Sequence, residues 1–160
     1  MKKIYYKLII ILPLFIFFLL DRITKYLATN KLPSSGVYLF KYIKLKLETN
    51  FGIAFGIKIH PIIIIILVSL IILILVYIFL KGLKKGKYLN SFLIGLIIAG
   101  AFSNLFDRII KGEVIDFIEI GFWPSFNLAD LYISSAILLY IIFNFKNKTP
   151  NRNGSGFKII

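Results

Sequence analysis

In four stretches the apolar residues run on for helix lengths instead of alternating with polar ones. Residues 4–20 are apolar except for Lys7, and the pattern continues as helix to about Ala28. Residues 61–80 are interrupted only by Ser69 and Tyr77. Residues 89–110 are apolar but seeded with Gly, Ala, Ser and Asn, and residues 126–145 form the last run. A bilayer crossing takes about 20 apolar residues. The pattern therefore predicts an all-α membrane protein with four transmembrane helices, over about 4–28, 61–80, 89–110 and 126–145. One multi-pass domain over residues 1–160 uses up the chain.

The connection 29–60 is the only sizeable piece outside those runs. Its start, Lys31-Leu32-Pro33-Ser34-Ser35-Gly36, has turn chemistry. Ile43, Leu45 and Leu47 then alternate with Lys44, Lys46 and Glu48, which reads as a strand with one wet face. Asn50-Phe51-Gly52-Ile53-Ala54-Phe55-Gly56 follows, rich in glycine and aromatics. The expectation is a small β-rich loop lying on the outer membrane surface. The tail 146–160 is polar and is expected to be disordered. In the third run Ser91, Gly95, Ala99 and Ser103 recur every fourth residue, a stripe that lets helix backbones approach closely in lipid. The second run has no stripe and no charge, and is expected to be the most lipid-exposed helix.

Composition strengthens the membrane reading. The chain is 59% hydrophobic, with a mean hydropathy of +0.88. A soluble domain of 160 residues cannot bury that much apolar surface. The net charge of +13 is spread between the runs instead of interleaved with aromatics on one soluble face, which argues against nucleic acid as a partner. Lys2, Lys3 and Lys7 precede the first run; Lys81, Lys84, Lys85 and Lys87 fill the second connection; Lys146, Lys148, Arg152 and Lys158 follow the last. All three clusters fall on one side of a four-span topology. The positive-inside rule makes that side, with both termini, cytoplasmic. Lys31, Lys41, Lys44, Lys46 and Lys58 on the opposite loop weaken the contrast, but long loops cross with less regard to charge. The first run also resembles a signal peptide. Its length, and Tyr26-Leu27-Ala28 in place of a small-x-small site, favour an uncleaved helix.

Candidate chemistry is narrow. With no cysteine and one histidine, His60, thiol catalysis and multi-histidine metal sites are excluded. There are seven acidic residues, and apart from Glu48 they lie near the outer ends of the first, third and fourth runs. Asp21 and Lys25 are spaced to pair on one helix, and a structural ion pair tying that helix to its neighbours is the better reading. Gly100, Asn104 and Arg108 share a face with Asp107 on its flank; they could orient a peptide or simply bond helices together. Asn127, Asp130 and Ser134 share a face at the start of the last run. Asp116 and Asp130 can meet across the hairpin joining the third and fourth runs. Two close carboxylates tend to share one proton, and such a pair can activate water while polarising a carbonyl. Charge placement alone favours two helix-end aspartates over a catalytic pair.

The motifs add what charge placement does not. Asp21-Arg22-Ile23-Thr24-Lys25, Asn50-Phe51-Gly52-Ile53-Ala54-Phe55, Gly100-Ala101-Phe102-Ser103-Asn104-Leu105-Phe106-Asp107-Arg108, Gly112-Glu113-Val114-Ile115-Asp116-Phe117 and Trp123-Pro124-Ser125-Phe126-Asn127-Leu128-Ala129-Asp130 stand in order. Together they resemble the blocks of the lipoprotein signal peptidase (signal peptidase II) family over nearly the whole chain. The family often has Gln, Ala and Ser where Arg22, Ile53 and Leu131 stand. The resemblance implies an aspartic endopeptidase of the bacterial cytoplasmic membrane, acting on its extracytoplasmic side. Its substrates would be prolipoproteins, cut before a diacylglyceryl-modified cysteine. It further implies Asp116 and Asp130 as the catalytic pair, with Asn50, Gly52, Asn104, Arg108 and Asn127 binding substrate or supporting the site. Asp21, Lys25 and Asp107 become structural polar residues. No metal or cofactor is implied; the partners are substrate and membrane lipid, and the chain is expected to be a monomer.

Two other functions compete. A Ser/Lys dyad would use Lys25 as base and Ser34, Ser35 or Ser125 as nucleophile. A proton-coupled transporter would want an ionisable residue near the bilayer midplane, where the last three runs carry no charge.

Overall fold

The computed structural model describes residues 2–52 and 60–146. Eight elements follow in chain order: α1 (Lys2–Lys31), β1 (Val37–Phe40), β2 (Ile43–Asn50), α2 (Pro61–Lys84), α3 (Tyr88–Lys111), β3 (Val114–Ile120), β4 (Trp123–Phe126) and α4 (Leu128–Lys146). The stretch from Ile53 to Gly56, Lys58 and the polar tail from residue 147 lie outside the described residues.

The four helices overlie the four apolar runs, and their ends obey local chemistry. α2 opens with Pro61 in its first turn, where a missing N–H costs nothing. α3 ends on Gly112, whose φ of 77° is left-handed and whose N–H donates to Arg108 O at 3.1 Å. Glycine takes that conformation without a Cβ clash, and the chain turns at once into β3. Among the described residues α2, α3 and the Leu128–Phe145 stretch of α4 are long and apolar enough to cross a membrane. α2 is almost wholly exposed, consistent with a lipid-facing helix.

α3 is the central helix. Gly95 meets Leu14 of α1 and Phe79 of α2, in contact too close to admit a Cβ. One turn beyond, a Cβ on Gly100 would stand 2.7 Å from Ala129 O and 2.8 Å from Ile133 Cγ1 on α4. The small positions thus do let backbones approach, although Gly100, off the Ser91–Ser103 stripe, makes the contact nearest the carboxylates.

The sheet is larger than the sequence suggests. Four antiparallel strands stand in the order β1-β2-β3-β4. β2 is the strand expected from alternation, but its partner β3 comes from the α3–α4 connection, read in the sequence only as a link. Val114, Ile115, Asp116 and Phe117 are all buried, so both faces of β3 are covered and no alternation betrays it. The fourth run, expected from about residue 126, begins in the sheet: Phe126 pairs with Ile118, and the helix starts at Leu128.

The bundle is polar inside at one end and apolar outside. Asp21, Lys25, Ser103, Asn104, Asp107, Asp116 and Asn127 are buried, while dozens of Leu, Ile and Phe side chains are exposed.

Candidate active site

α1 supplies the foundation. Lys25 is fully buried, and its Nζ lies 2.9 Å from Asp21 Oδ2, 2.8 Å from Asp107 Oδ2 and 2.7 Å from Asn104 Oδ1. Three oxygens thus surround the ammonium, two as ion-pair partners and one as a hydrogen-bond acceptor. Asp21 accepts from Ser103 Oγ at 2.6 Å through Oδ2 and from the Ala129 N–H at 2.9 Å through Oδ1. The latter is an otherwise unpaired amide in the first turn of α4. Asp21 therefore binds α1 to both α3 and α4. Arg22 adds a second cation on Asp107 at 2.5 Å, donates to Ser103 O at 2.9 Å and stacks over Phe106. Asp107, expected on the flank of the Asn104 face, turns wholly towards α1.

Upon this base stand the two asparagines. Asn104 Oδ1 accepts from Lys25, so its amide nitrogen must point the other way, and Nδ2 donates to Asp130 Oδ1 at 2.8 Å. Asn127 is the cap of α4, not a residue within it. Its Oδ1 accepts from Asp130 N–H at 3.0 Å, and Asp130 Oδ2 accepts from Asn127 N–H at 3.3 Å. This is a reciprocal capping box built with Asn and Asp. Asn127 Nδ2 has three acceptors in reach: Asp116 Oδ1 at 2.7 Å, Asn104 Oδ1 at 3.1 Å and Ile115 O at 3.2 Å. It carries only two hydrogens, so the shortest bond, to Asp116, is the one best formed.

Asp116 enters from β3 and is 3% exposed. Burial, and then the neighbouring Asp130 charge, push its carboxyl up to about 6, against the pull of hydrogen bonds from Asn127 and Asn50. The two carboxylates and Arg108 carry a formal charge of −1 in a low-dielectric pocket, which one retained proton cancels.

Asp116 and Asp130 line a cavity of about 840 Å³ with Asn50, Gly52, Asn104 and Arg108. Arg108 donates to Gly52 O at 3.0 Å, and Gly52 N–H donates to Asn50 Oδ1 at 3.0 Å, so these three form one wall. Seven of the residues singled out in the sequence, the two aspartates with Asn50, Gly52, Asn104, Arg108 and Asn127, are thus brought together, and Asp21, Lys25 and Asp107 lie beneath them.

Sequence reasoning passed over Glu48 and Trp123, which line the same cavity, and considered Ser125 beside them only as a nucleophile for Lys25. Glu48 sits opposite Asp116 in the β2–β3 register. Lys46 at 2.8 Å and Ser125 at 2.5 Å hold it, and these hydrogen bonds depress its pKa below the ordinary carboxylate value. Only knowledge that β3 pairs with β2 would have flagged it. The Ser/Lys dyad fails on geometry: the Lys25 ammonium faces two carboxylates and an amide oxygen, and Ser125 is bonded to Glu48.

The chain is similar to known proteins over most of its length. Residues 13–146 match the family described as signal peptidase (SPase) II. A lipoprotein signal peptidase of Thermodesulfovibrio yellowstonii is 39% identical over 142 residues, covering 84% of this chain and 93% of the relative. One from Aquifex aeolicus is 38% identical over 143 residues, covering 85% of each. A solved structure described as a bacterial membrane enzyme superposes with a TM-score of 0.80 at 27% identity, covering 92% of this chain and 93% of that one.

Proposed function

Since the chain belongs to the signal peptidase II family, we propose that Asp116 and Asp130 are the catalytic pair with which it removes signal peptides from prolipoproteins. One observation carries this reading: a buried carboxylate, Asp116, and a half-buried one, Asp130, joined through Asn127, face the same large cavity. No sequence-local rule requires that meeting.

The environments of the two groups suggest their roles. Asp130 accepts hydrogen bonds from Asn104 Nδ2 and Asn127 N–H, which suit an anion. Asp116 is the less exposed to solvent of the two, within β3, and is the natural holder of the shared proton. Asp130 takes a proton from water, whose oxygen attacks the scissile carbonyl carbon. Asp116 delivers its proton to the carbonyl oxygen. The tetrahedral diol then collapses: the C–N bond breaks, the amine leaves with a proton from Asp130, and Asp116 recovers its own. Arg108 and Asn50 are placed to hold the substrate backbone in the cavity.

α1 is the fourth crossing in this proposal. Its 30 residues rise about 45 Å, and it exposes Leu8, Ile9, Leu12, Phe15 and Ile16 along its length. The sheet and its hairpin turns expose Tyr38, Tyr42 and Trp123, the amphipathic aromatics of a membrane–water interface, beside exposed Phe40 and Phe122. The lysines of the α2–α3 connection stand at the opposite end of the bundle, which would make that end cytoplasmic and open the cavity outward. Placed so, a monomer in a bacterial cytoplasmic membrane meets its substrate at the interface. The two acyl chains of the modified cysteine would hold the scissile bond there, each buried CH₂ contributing about 0.8 kcal/mol.

The test is cleavage of matched prolipoprotein peptides, with and without the diacylglyceryl group, by the purified protein in one detergent. The expected result is cleavage before the lipidated cysteine and a kcat/KM lower by orders of magnitude without the lipid. Equal rates would end the lipid-anchoring part of the proposal. Cleavage that survives in the Asp116→Asn variant would end the assignment of the pair.

A further inference from the structure

At the end of the bundle opposite the carboxylates, a second cavity of about 210 Å³ opens between the α2–α3 hairpin and the end of α4. Lys81, Lys85 and Lys87 line it, together with Asn90, Ser91 and Asn144. The seven acidic side chains of the chain (Asp21, Glu48, Asp107, Glu113, Asp116, Glu119 and Asp130) all belong to the other end. These lysines make no ion pair among the described residues.

The backbone there is also electropositive. α3 starts at the cavity; its cap position is Lys87, which supplies no side-chain acceptor, and its first turn has no acidic residue. The first amides of a helix lack intrahelical acceptors, and the dipole adds positive potential. The opposing carbonyls that end α2 are already taken. Gly82 O accepts from Lys85 N at 3.1 Å and Lys87 N at 3.0 Å, and Leu83 O accepts from Gly86 N at 3.3 Å. The negative end of α2 is thus internally satisfied, whereas the start of α3 has no side-chain cap.

The independent observation is Ser91. It is fully buried, lines the cavity, and its Oγ has no hydrogen-bond partner within the described protein. A buried hydroxyl left unpaired is costly. A ligand oxygen in the cavity would satisfy it. Asn90 Nδ2 donates to Asn144 Oδ1 at 3.2 Å, which steadies the amide side of the pocket.

We propose that this cavity binds a phosphate group, either that of an anionic phospholipid headgroup or free inorganic phosphate. Uncapped helix amides, three ammonium groups and an orphaned hydroxyl form a donor set with no anion of its own, and phosphate oxygens match it. The site is separate from the carboxylate cavity and does not depend on the peptidase reading.

The purified full chain in neutral detergent is titrated with dioleoyl phosphatidylglycerol, with dioleoylglycerol (the same chains without phosphate) and with inorganic phosphate, and thermal unfolding is followed. Phosphatidylglycerol should stabilise the protein and dioleoylglycerol should not. Stabilisation by inorganic phosphate as well would identify the free anion as a ligand; its absence would identify the lipid. The Lys87→Gln variant should need about tenfold more phosphatidylglycerol for the same effect. Lys84→Gln removes an equal charge from a residue that does not line the cavity, and should match the parent. Ser91→Ala should raise Tm in the absence of phosphate, because an orphaned hydroxyl is gone, yet gain less when phosphatidylglycerol is added. A general electrostatic fringe would treat Lys84 and Lys87 alike and ignore Ser91. That result, or equal stabilisation by dioleoylglycerol, overturns the proposal.

Discussion

Asn127 and Asp130 cap one another: Asn127 Oδ1 accepts the Asp130 N–H at 3.0 Å and Asp130 Oδ2 accepts the Asn127 N–H at 3.3 Å. The same asparagine donates through Nδ2 to Asp116 Oδ1 at 2.7 Å. One side chain therefore starts α4, orients one carboxylate and bonds the other. Its two functions can be separated. Asn127→Ser keeps a capping oxygen but loses the Nδ2 donor. Its thermal stability should fall little, because Ser and Asn cap about equally well, while kcat falls sharply. Asn127→Ala should lose the activity and about 1 kcal/mol more stability. Undiminished kcat in Asn127→Ser would show that the bond to Asp116 is dispensable.

If Asp116 and Asp130 work as a unit, their removals should not add. Asp116→Asn, Asp130→Asn and the double variant should be inactive to about the same extent, since groups that act together share one loss. All three should insert and fold, the replacements being nearly isosteric. Substantial turnover by either single variant would refute the pairing.

The pH dependence follows from Asp116, whose carboxyl is raised from 3.8 to about 6. The pair holds its proton below that value and loses it above, so kcat/KM should fall as pH rises through about 6. Substrate that expels water should push the corresponding limb of kcat to higher pH, since desolvation favours the neutral acid. Stability has the same sign. The folded protein binds this proton more tightly than the unfolded chain, so the contribution is full below pH 3.8 and is lost as pH rises to about 6. Asp116→Asn should remove that slope; an unchanged slope would place its origin elsewhere.

The buried ion network predicts an order of damage. Lys25→Met leaves Asp21 and Asp107 without their shared ammonium in a buried site, a loss of about 3–5 kcal/mol when one partner of a buried pair is removed. Asp21→Asn keeps an oxygen for the Ala129 amide and leaves Lys25 with Asp107 and Asn104, so it should be milder. Unfolding in detergent measures both, and the reverse order would contradict the geometry.

Orientation can be read with single cysteines, since the chain has none. Ser34→Cys should react with an impermeant thiol reagent from outside the cell. Lys84→Cys, at the opposite end of the bundle, should react only after the membrane is opened. The opposite pattern would put the cavity on the cytoplasmic side and exclude the proposed access to substrate.

The apolar runs determined where the helices lie, because a chain in lipid must satisfy its backbone within each segment. Glycine at 112 and proline at 61 marked two helix ends for equally local reasons. Family motifs carried Asp116, Asp130, Asn104 and Asn127 into view, although charge placement alone favoured plain helix-end aspartates. What the sequence could not decide depends on pairing at a distance. β3 is buried on both faces and so shows no alternation. Its register against β2, which sets Glu48 opposite Asp116, exists only once α2 and α3 have brought the strands together. Nor could spacing show that Asp21 pairs the Ala129 amide in the first turn of α4, 108 positions away, or that Asp107 turns from Arg108 towards Arg22 and Lys25. Those choices follow from burial. Each charged group removed from water must find its counterpart among whatever the folded helices present, and that inventory is a property of the tertiary structure.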